Sequence, residues 1–195
     1  MNKFVILTSR CIPMRNKNVD TDQIIPARYL LMITKDGYGE HLFQDWRYNE
    51  DGSPKNEFIL NKPEYKGAEI LLAGENFGSG SSREHAVWAI TQYGIKAVLA
   101  PSFSDIFTNN AYGNGLLVIP TSEKVIEELF GKVEANPEYE ITIDLENQRI
   151  MYDDREEHFA INQFVKDKLI KGLDDIGYIL DKKEVIEKFE KANNI

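Results

Sequence analysis

An α/β fold, with a parallel sheet flanked by helices and a smaller antiparallel sheet, is predicted by three features of this 195-residue chain. Short apolar runs alternate with segments of helical period between Ala68 and Gly131, the pattern of parallel strands joined by crossover helices. From Tyr139 onward the period changes to two, as in a half-solvated antiparallel meander. A Gly/Ser-rich turn, Gly74 to Ala86, sits between a buried run and a helical stripe, where a helix N-terminus offers free N–H groups to an anion.

In chain order, Lys3 to Thr8 reads as a first strand and Cys11 to Asp20, with Pro13 and mixed charge, as an irregular loop. Asn18-Val19-Asp20-Thr21-Asp22-Gln23-Ile24-Ile25-Pro26 packs two acids and a hydroxyl before a proline that can open a helix over Ala27 to Ile33. The same run also reads as a simple capped helix start. Gly37 and Gly39 break the chain before a second short helix, His41 to Trp46. Tyr48 to Pro63, punctuated by Gly52, Pro54 and Pro63, reads as a loop-rich surface excursion over 48–63 with a short strand at Phe58 to Leu60.

Ala68 to Ala73 is a buried strand. Ser82 to Tyr93 then sets Ala86, Ala89, Ile90 and Tyr93 on one helical stripe, with Ser81 or Ser82 as N-cap and Gly94 closing the helix. Lys96 to Ala100 is the next strand, Phe103 to Tyr112 the next helix, and Leu116 to Pro120 the strand after it. Thr121 or Ser122 caps a helix ending near Phe130-Gly131. Tyr139 to Asp144, a turn at Glu146-Asn147, Arg149 to Tyr152 and His158 to Ile161 form the meander. Gln163 to Lys171, stopped by Gly172, and Lys182 to Asn193 make the tail helical from about 163.

Composition narrows the function. A net charge of -9 argues against nucleic acid or an anionic membrane as partner, since both need a basic face. The single cysteine, Cys11, excludes an internal disulfide and makes a self-contained zinc or iron–sulfur site implausible, so no metal ligands are assigned. The only early apolar run, Phe4-Val5-Ile6-Leu7, supports neither a signal peptide nor a spanning helix, and the cytoplasm is the expected location. His41, His85 and His158 are scattered without metal or nucleophile spacing and read as structural or surface residues.

The Gly/Ser turn carries the chemistry. Gly74, Gly78 and Gly80 permit positive φ or close approach, and Arg83 adds a fixed positive charge to the hydroxyls of Ser81 and Ser82. Arg at a helix start opposes the dipole, so structure alone does not favour it there. The turn matches neither a Walker loop, nor G-x-G-x-x-G, nor G-x-S-x-G, which argues against a nucleotide cradle and a hydrolase elbow.

Three separated motifs, Asp20-Thr21-Asp22-Gln23-Ile24-Ile25-Pro26, then Asn76 to Ala86, then Ala100-Pro101-Ser102-Phe103-Ser104-Asp105-Ile106-Phe107, occur in an order that resembles the small subunit of bacterial 3-isopropylmalate dehydratase, in the aconitase superfamily. The resemblance runs from about Lys3 to the helix after Ile161. It implies one layered β/β/α swivelling domain over 1–195. It also implies a lyase active only with a separate large subunit, whose own cysteines hold a 4Fe–4S cluster; this chain would bind no cofactor itself. The implied reaction takes 2-isopropylmalate to 3-isopropylmalate through isopropylmaleate, in leucine biosynthesis.

By position, Ser81 matches the serine whose alkoxide takes the substrate C–H proton, and Ser82 and Arg83 match residues that hold substrate carboxylate. Gly78 and Gly80, just before that serine, are counted with the substrate-binding residues. Thr21 and Asp22 match a polar pair bordering the site, with Asp22 orienting an arginine or a serine. Leu30 and Leu31 fall on the loop, Tyr29 to Met32, that selects the substrate side group. Family members often carry Cys where this chain has Ser79, a swap that keeps a small side chain. A non-catalytic anion-binding or regulatory module using the same turn stays open, as does a relative acting on homoaconitate-type acids.

Overall fold

The computed structural model describes residues 1–31, 34 and 36–193. Strand β1 (Ile6–Met14) organises the sheet because its two halves pair differently. Ile6 to Arg10 lie antiparallel to β5 (Glu140–Asp144), with Ile6 opposite Asp144, whereas Cys11 to Met14 run parallel to β2 (Ile70–Ala73), with Cys11 opposite Ile70. β3 (Ala97–Ala100) and β4 (Leu117–Pro120) extend the parallel side. β6 (Arg149–Tyr152) and β7 (Arg155–His158) extend the antiparallel side, so the order is β4-β3-β2-β1-β5-β6-β7. The expected parallel and antiparallel sheets therefore share one strand.

The expected loop from Cys11 is corrected: β1 reaches Met14 and takes in Pro13. Beyond Arg10 the described pairing is with β2 alone, so a residue without an N–H is tolerated there. Every residue of β2 and β3 is buried, as a parallel strand covered on both faces requires. Around them lie α3 (Glu84–Tyr93), α4 (Asp105–Gly113) and α5 (Glu123–Ala135). α5 packs on β1, β2 and β3, while α3 packs on α4. Ser122 caps α5 through Val125 N–H, and the helix runs past Gly131 to Ala135, longer than the sequence pattern indicates.

Short elements depart most from expectation. The helix near Pro26 lies before it, as α1 (Thr21–Ile24), and only a 3-10 turn, Ala27–Tyr29, follows; Met32 and Ile33 lie outside the described residues. In place of a helix over His41 to Trp46 there are a 3-10 turn, Tyr38–His41, and α2 (Gln44–Arg47), with Phe43 left-handed between them. Phe58 to Leu60 is no strand; Ile59–Asn61 is a 3-10 turn. β7 lies at Arg155–His158 rather than His158 to Ile161. The tail holds α6 (Gln163–Lys171) as expected, then α7 (Asp175–Asp181), which the pattern did not predict, and α8 (Lys183–Asn193). One buried apolar cluster extends from Phe4 to Leu169.

Candidate active site

The loops that leave the C-terminal ends of β1, β2 and β3 meet at one edge of the sheet, where α/β folds place their ligands. Val19, fully buried, is the anchor: its carbonyl accepts from Gly78 N–H at 2.8 Å and Ser79 N–H at 3.0 Å. Ser79 carbonyl accepts from Thr21 N–H at 2.8 Å, and Asn18 N–H donates to Glu75 carbonyl at 2.9 Å. The third loop joins through Phe77 N–H, which donates to Ser102 carbonyl at 3.1 Å, and through Ser102 Oγ, which accepts from Asn76 N–H at 2.9 Å.

A capping box shapes α1. Asp20 accepts from Asp22 N–H at 2.7 Å, and Gln23 Oε1 accepts from Asp20 N–H at 2.8 Å. The one-residue step then turns Thr21 inward and Asp22 outward. Thr21 Oγ1 donates to Ser81 carbonyl at 3.0 Å, and Asp22 Oδ1 accepts from Arg83 Nη1. The arginine side chain is only 16% exposed and the aspartate 51%, so the pair sits at the rim of the loop.

Two glycines make this packing possible. Gly78 has φ +74°, and a Cβ there would lie 2.2 Å from the Phe107 ring; Gly80 has φ +88°, and a Cβ there would lie 2.1 Å from Asp20 Oδ2. No larger residue fits either place without moving a helix or its cap.

What remains free is the donor surface. Among the described residues, the N–H groups of Gly80, Ser81, Ser82 and Arg83 have no hydrogen-bond partner, nor have the Ser81 and Ser82 hydroxyls, both on exposed residues. The expected serine N-cap of α3 is corrected: Arg83 holds that position, with φ -123° and no side-chain cap bond. The serines stay outside the helix because the loop is tied to Val19 and Thr21 instead. Leu30 is half-buried and Leu31 is 88% exposed.

Sequence reasoning assigned no role to Asn18 and Asn76. Both are left-handed, and Asn76 Nδ2 donates to Asn18 Oδ1 at 2.8 Å, clasping the first two loops. Asn is a residue that tolerates this conformation, a signal present in the sequence. His85 packs on Tyr38 and Trp88, His41 stacks on Tyr29, and His158 lies beside Glu156 on the antiparallel side.

Against this geometry, comparison with known proteins is decisive. The Aconitase C-terminal domain family matches residues 1–124, and the family LeuD_N matches 127–163. The 3-isopropylmalate dehydratase small subunit of Azobacteroides pseudotrichonymphae genomovar. CFP2 is 49% identical over 193 residues, covering 98% of both chains. That of Lactococcus lactis subsp. lactis (strain IL1403) is 49% identical, covering 99% of this chain and 100% of the relative. This chain belongs to the 3-isopropylmalate dehydratase small-subunit family. A crystal structure of 3-isopropylmalate dehydratase from Methanocaldococcus jannaschii DSM2661, 28% identical, superposes with a TM-score of 0.64 over 94% of this chain and 98% of that one.

Small subunits of this family lie in the aconitase superfamily, which implies an iron–sulfur cluster, and the residues here do not fit one of their own. Cys11 is fully buried in β1, where loss of hydration pushes its thiol far above the usual range, so it offers no thiolate. Among the described residues no three of His, Cys, Asp and Glu gather as a metal group. Nor is any described helix long and apolar enough to cross a membrane.

Proposed function

We propose that this chain is the small subunit of a heteromeric hydro-lyase that isomerises 2-isopropylmalate to 3-isopropylmalate through isopropylmaleate, in leucine biosynthesis. On this reading 1–195 is a single swivelling domain of a cytoplasmic enzyme that contacts neither nucleic acid nor membrane. The observation that carries it is the Ser81 hydroxyl, exposed on a loop whose carbonyl is held by Thr21 and whose next charged residue, Arg83, is held by Asp22.

Ser81 Oγ, as alkoxide, takes the proton from the substrate carbon next to the one that carries hydroxyl. The hydroxyl leaves to give the alkene, and return of water in the opposite sense gives the isomer. The electrophile that the leaving hydroxyl needs comes, on this reading, from the 4Fe–4S cluster of the large subunit. Ser82 and the Arg83 donors not taken by Asp22 hold substrate carboxylate.

Forming an alkoxide is costly. One positive charge at ~4 Å with effective dielectric ~20 is worth roughly 4 kcal/mol, about three pKa units. Asp22 offsets part of that charge, so the free N–H groups from Gly80 to Arg83 and the start of α3 must supply the rest.

The test is an anaerobic assay of the purified chain with and without the large subunit. Turnover should appear only with both. Activity of the chain alone, or none on addition of a competent large subunit, overturns the reading.

A further inference from the structure

The loop-rich excursion after Tyr48 walls a cleft that the catalytic edge does not use. The wall is tied down at three points. Asn61 Nδ2 donates to the Arg47 carbonyl at 2.6 Å and to the Lys55 carbonyl at 3.0 Å, Tyr93 OH donates to the Leu60 carbonyl at 3.0 Å, and Arg10 Nη2 donates to the Lys66 carbonyl at 2.7 Å. The cleft measures about 680 Å³, the size of a small-molecule site. It borders Glu69, one residue before β2, so it lies at the N-terminal edge of the parallel strands. Ser81 follows the other end of β2.

Charge names the ligand. Arg47, Lys62 and Lys66 line this cleft on a chain whose net charge is -9. Glu69, the one carboxylate among the described lining residues, is already engaged by Lys96 Nζ at 2.6 Å. Among the described residues, the ammonium groups of Lys62 and Lys66 meet no acceptor, and Lys62 is half-buried. Half-buried Arg47 meets only neutral oxygens: Nε donates to Asn61 Oδ1 at 3.1 Å, Nη1 to the Leu42 carbonyl at 3.3 Å and the Glu40 carbonyl at 3.5 Å, and Nη2 to Tyr48 OH at 3.1 Å. A guanidinium carries five donors, so Nη2 keeps one N–H to give. A partly desolvated cation without a counter-ion favours the arrival of an anion. Leu60 and the Tyr93 ring supply apolar surface in the same cleft. Several uncompensated cations beside apolar surface select a doubly charged head on an apolar body.

We propose that this cleft binds a small organic dianion, its head among Arg47, Lys62 and Lys66 and its apolar body against Leu60 and Tyr93. Isothermal titration of the full-length chain with phenyl phosphate and with benzylsuccinate separates the two heads that fit, a phosphate ester and a dicarboxylate. At least one of them binds with a dissociation constant below ~1 mM at low ionic strength. Inorganic phosphate and benzyl alcohol each bind at least tenfold more weakly, and added salt weakens the complex. Combining Lys62→Gln with Lys66→Gln weakens binding at least tenfold with an unchanged thermal transition, whereas Lys62→Arg with Lys66→Arg retains it. Arg83→Ala leaves the affinity unchanged, because Arg83 belongs to the opposite edge. Binding of neither probe, binding indifferent to the glutamine pair, or binding lost in Arg83→Ala overturns the proposal. So does loss of binding when the large subunit is added, because the cleft is then a contact with that partner.

Discussion

Asp22 and Arg83 stand 61 positions apart and are joined side chain to side chain at the edge where three loops converge. The salt bridge turns the guanidinium toward α1, and the neighbouring hydrogen bond from Thr21 to Ser81 carbonyl fixes the residue two places before it. One capped turn of helix thus sets the direction of both the proposed base and the proposed anion ligand.

Replacing Thr21 by Val keeps its volume and removes the 3.0 Å bond to Ser81 carbonyl. Loss of one such bond costs about 1 kcal/mol, but misplacement of Ser81 should lower kcat of the assembled enzyme at least tenfold. Thr21→Ser should restore it. Unchanged kcat in the Val variant would show that Thr21 does not position Ser81.

Ser81→Ala removes the proposed base and leaves Ser82 and Arg83. General-base catalysis contributes roughly 10²- to 10⁴-fold, so kcat should fall by at least that range while copurification with the large subunit persists. A non-catalytic anion-binding module would tolerate the change, so retention of most of kcat would move the base elsewhere.

Gly80→Ala places a methyl 2.1 Å from the cap carboxylate of Asp20 at φ +88°. Gly52→Ala, at φ +80° with nothing within 4 Å, meets the same backbone strain without the collision. Left-handed strain alone costs about 1–2 kcal/mol. Urea unfolding should therefore show Gly80→Ala as the more damaging of the two by at least about 1 kcal/mol, the lost cap alone being worth that much. Equal losses would mean that Asp20 yields freely.

Leu31→Arg tests the side-group loop. Because Leu31 is 88% exposed, the free chain should keep its stability within about 0.5 kcal/mol. In the reconstituted heteromer, burying the three isopropyl carbons at about 0.8 kcal/mol each favours a dry pocket, and an arginine there should cut kcat/KM for 2-isopropylmalate at least tenfold. Relative use of a homoaconitate-type acid should rise; an unchanged ratio would place specificity on the large subunit.

Acid sensitivity should centre on Asp144, a buried carboxylate held below the usual range by the Asn147 side chain, then by Asn147 N–H and Arg149. A carboxyl whose folded pKa is depressed stabilises the fold above its unfolded value, about 3.9, and loses that contribution as pH falls through the folded value. Asp144→Asn should therefore cost most stability near neutral pH, and the gap from wild type should close below about pH 4. Chemical denaturation at several pH values would reveal a constant gap if Asp144 were not the group responsible.

Much of this was legible before folding. The alternation from β2 to α5 and the change of period at β5 lie in the residues themselves, because burial on two faces or one leaves a local pattern. α6 was delimited correctly by its own period and by Gly172. α1 and the turns at 27–29, 38–41 and 59–61 were misread because three or four residues are too few to establish a period.

The sequence by itself determined which residues could bind an anion and in what order their motifs follow: small residues, hydroxyls and one arginine carry that chemistry locally. The tertiary structure alone decided what each one touches. Val19 became an anchor, Asn18 met Asn76, Asp20 filled the space over Gly80, and Arg83 displaced the serines from the helix cap. Those pairings join residues far apart in the chain, and their energies depend on strands lying side by side, which no local spacing encodes.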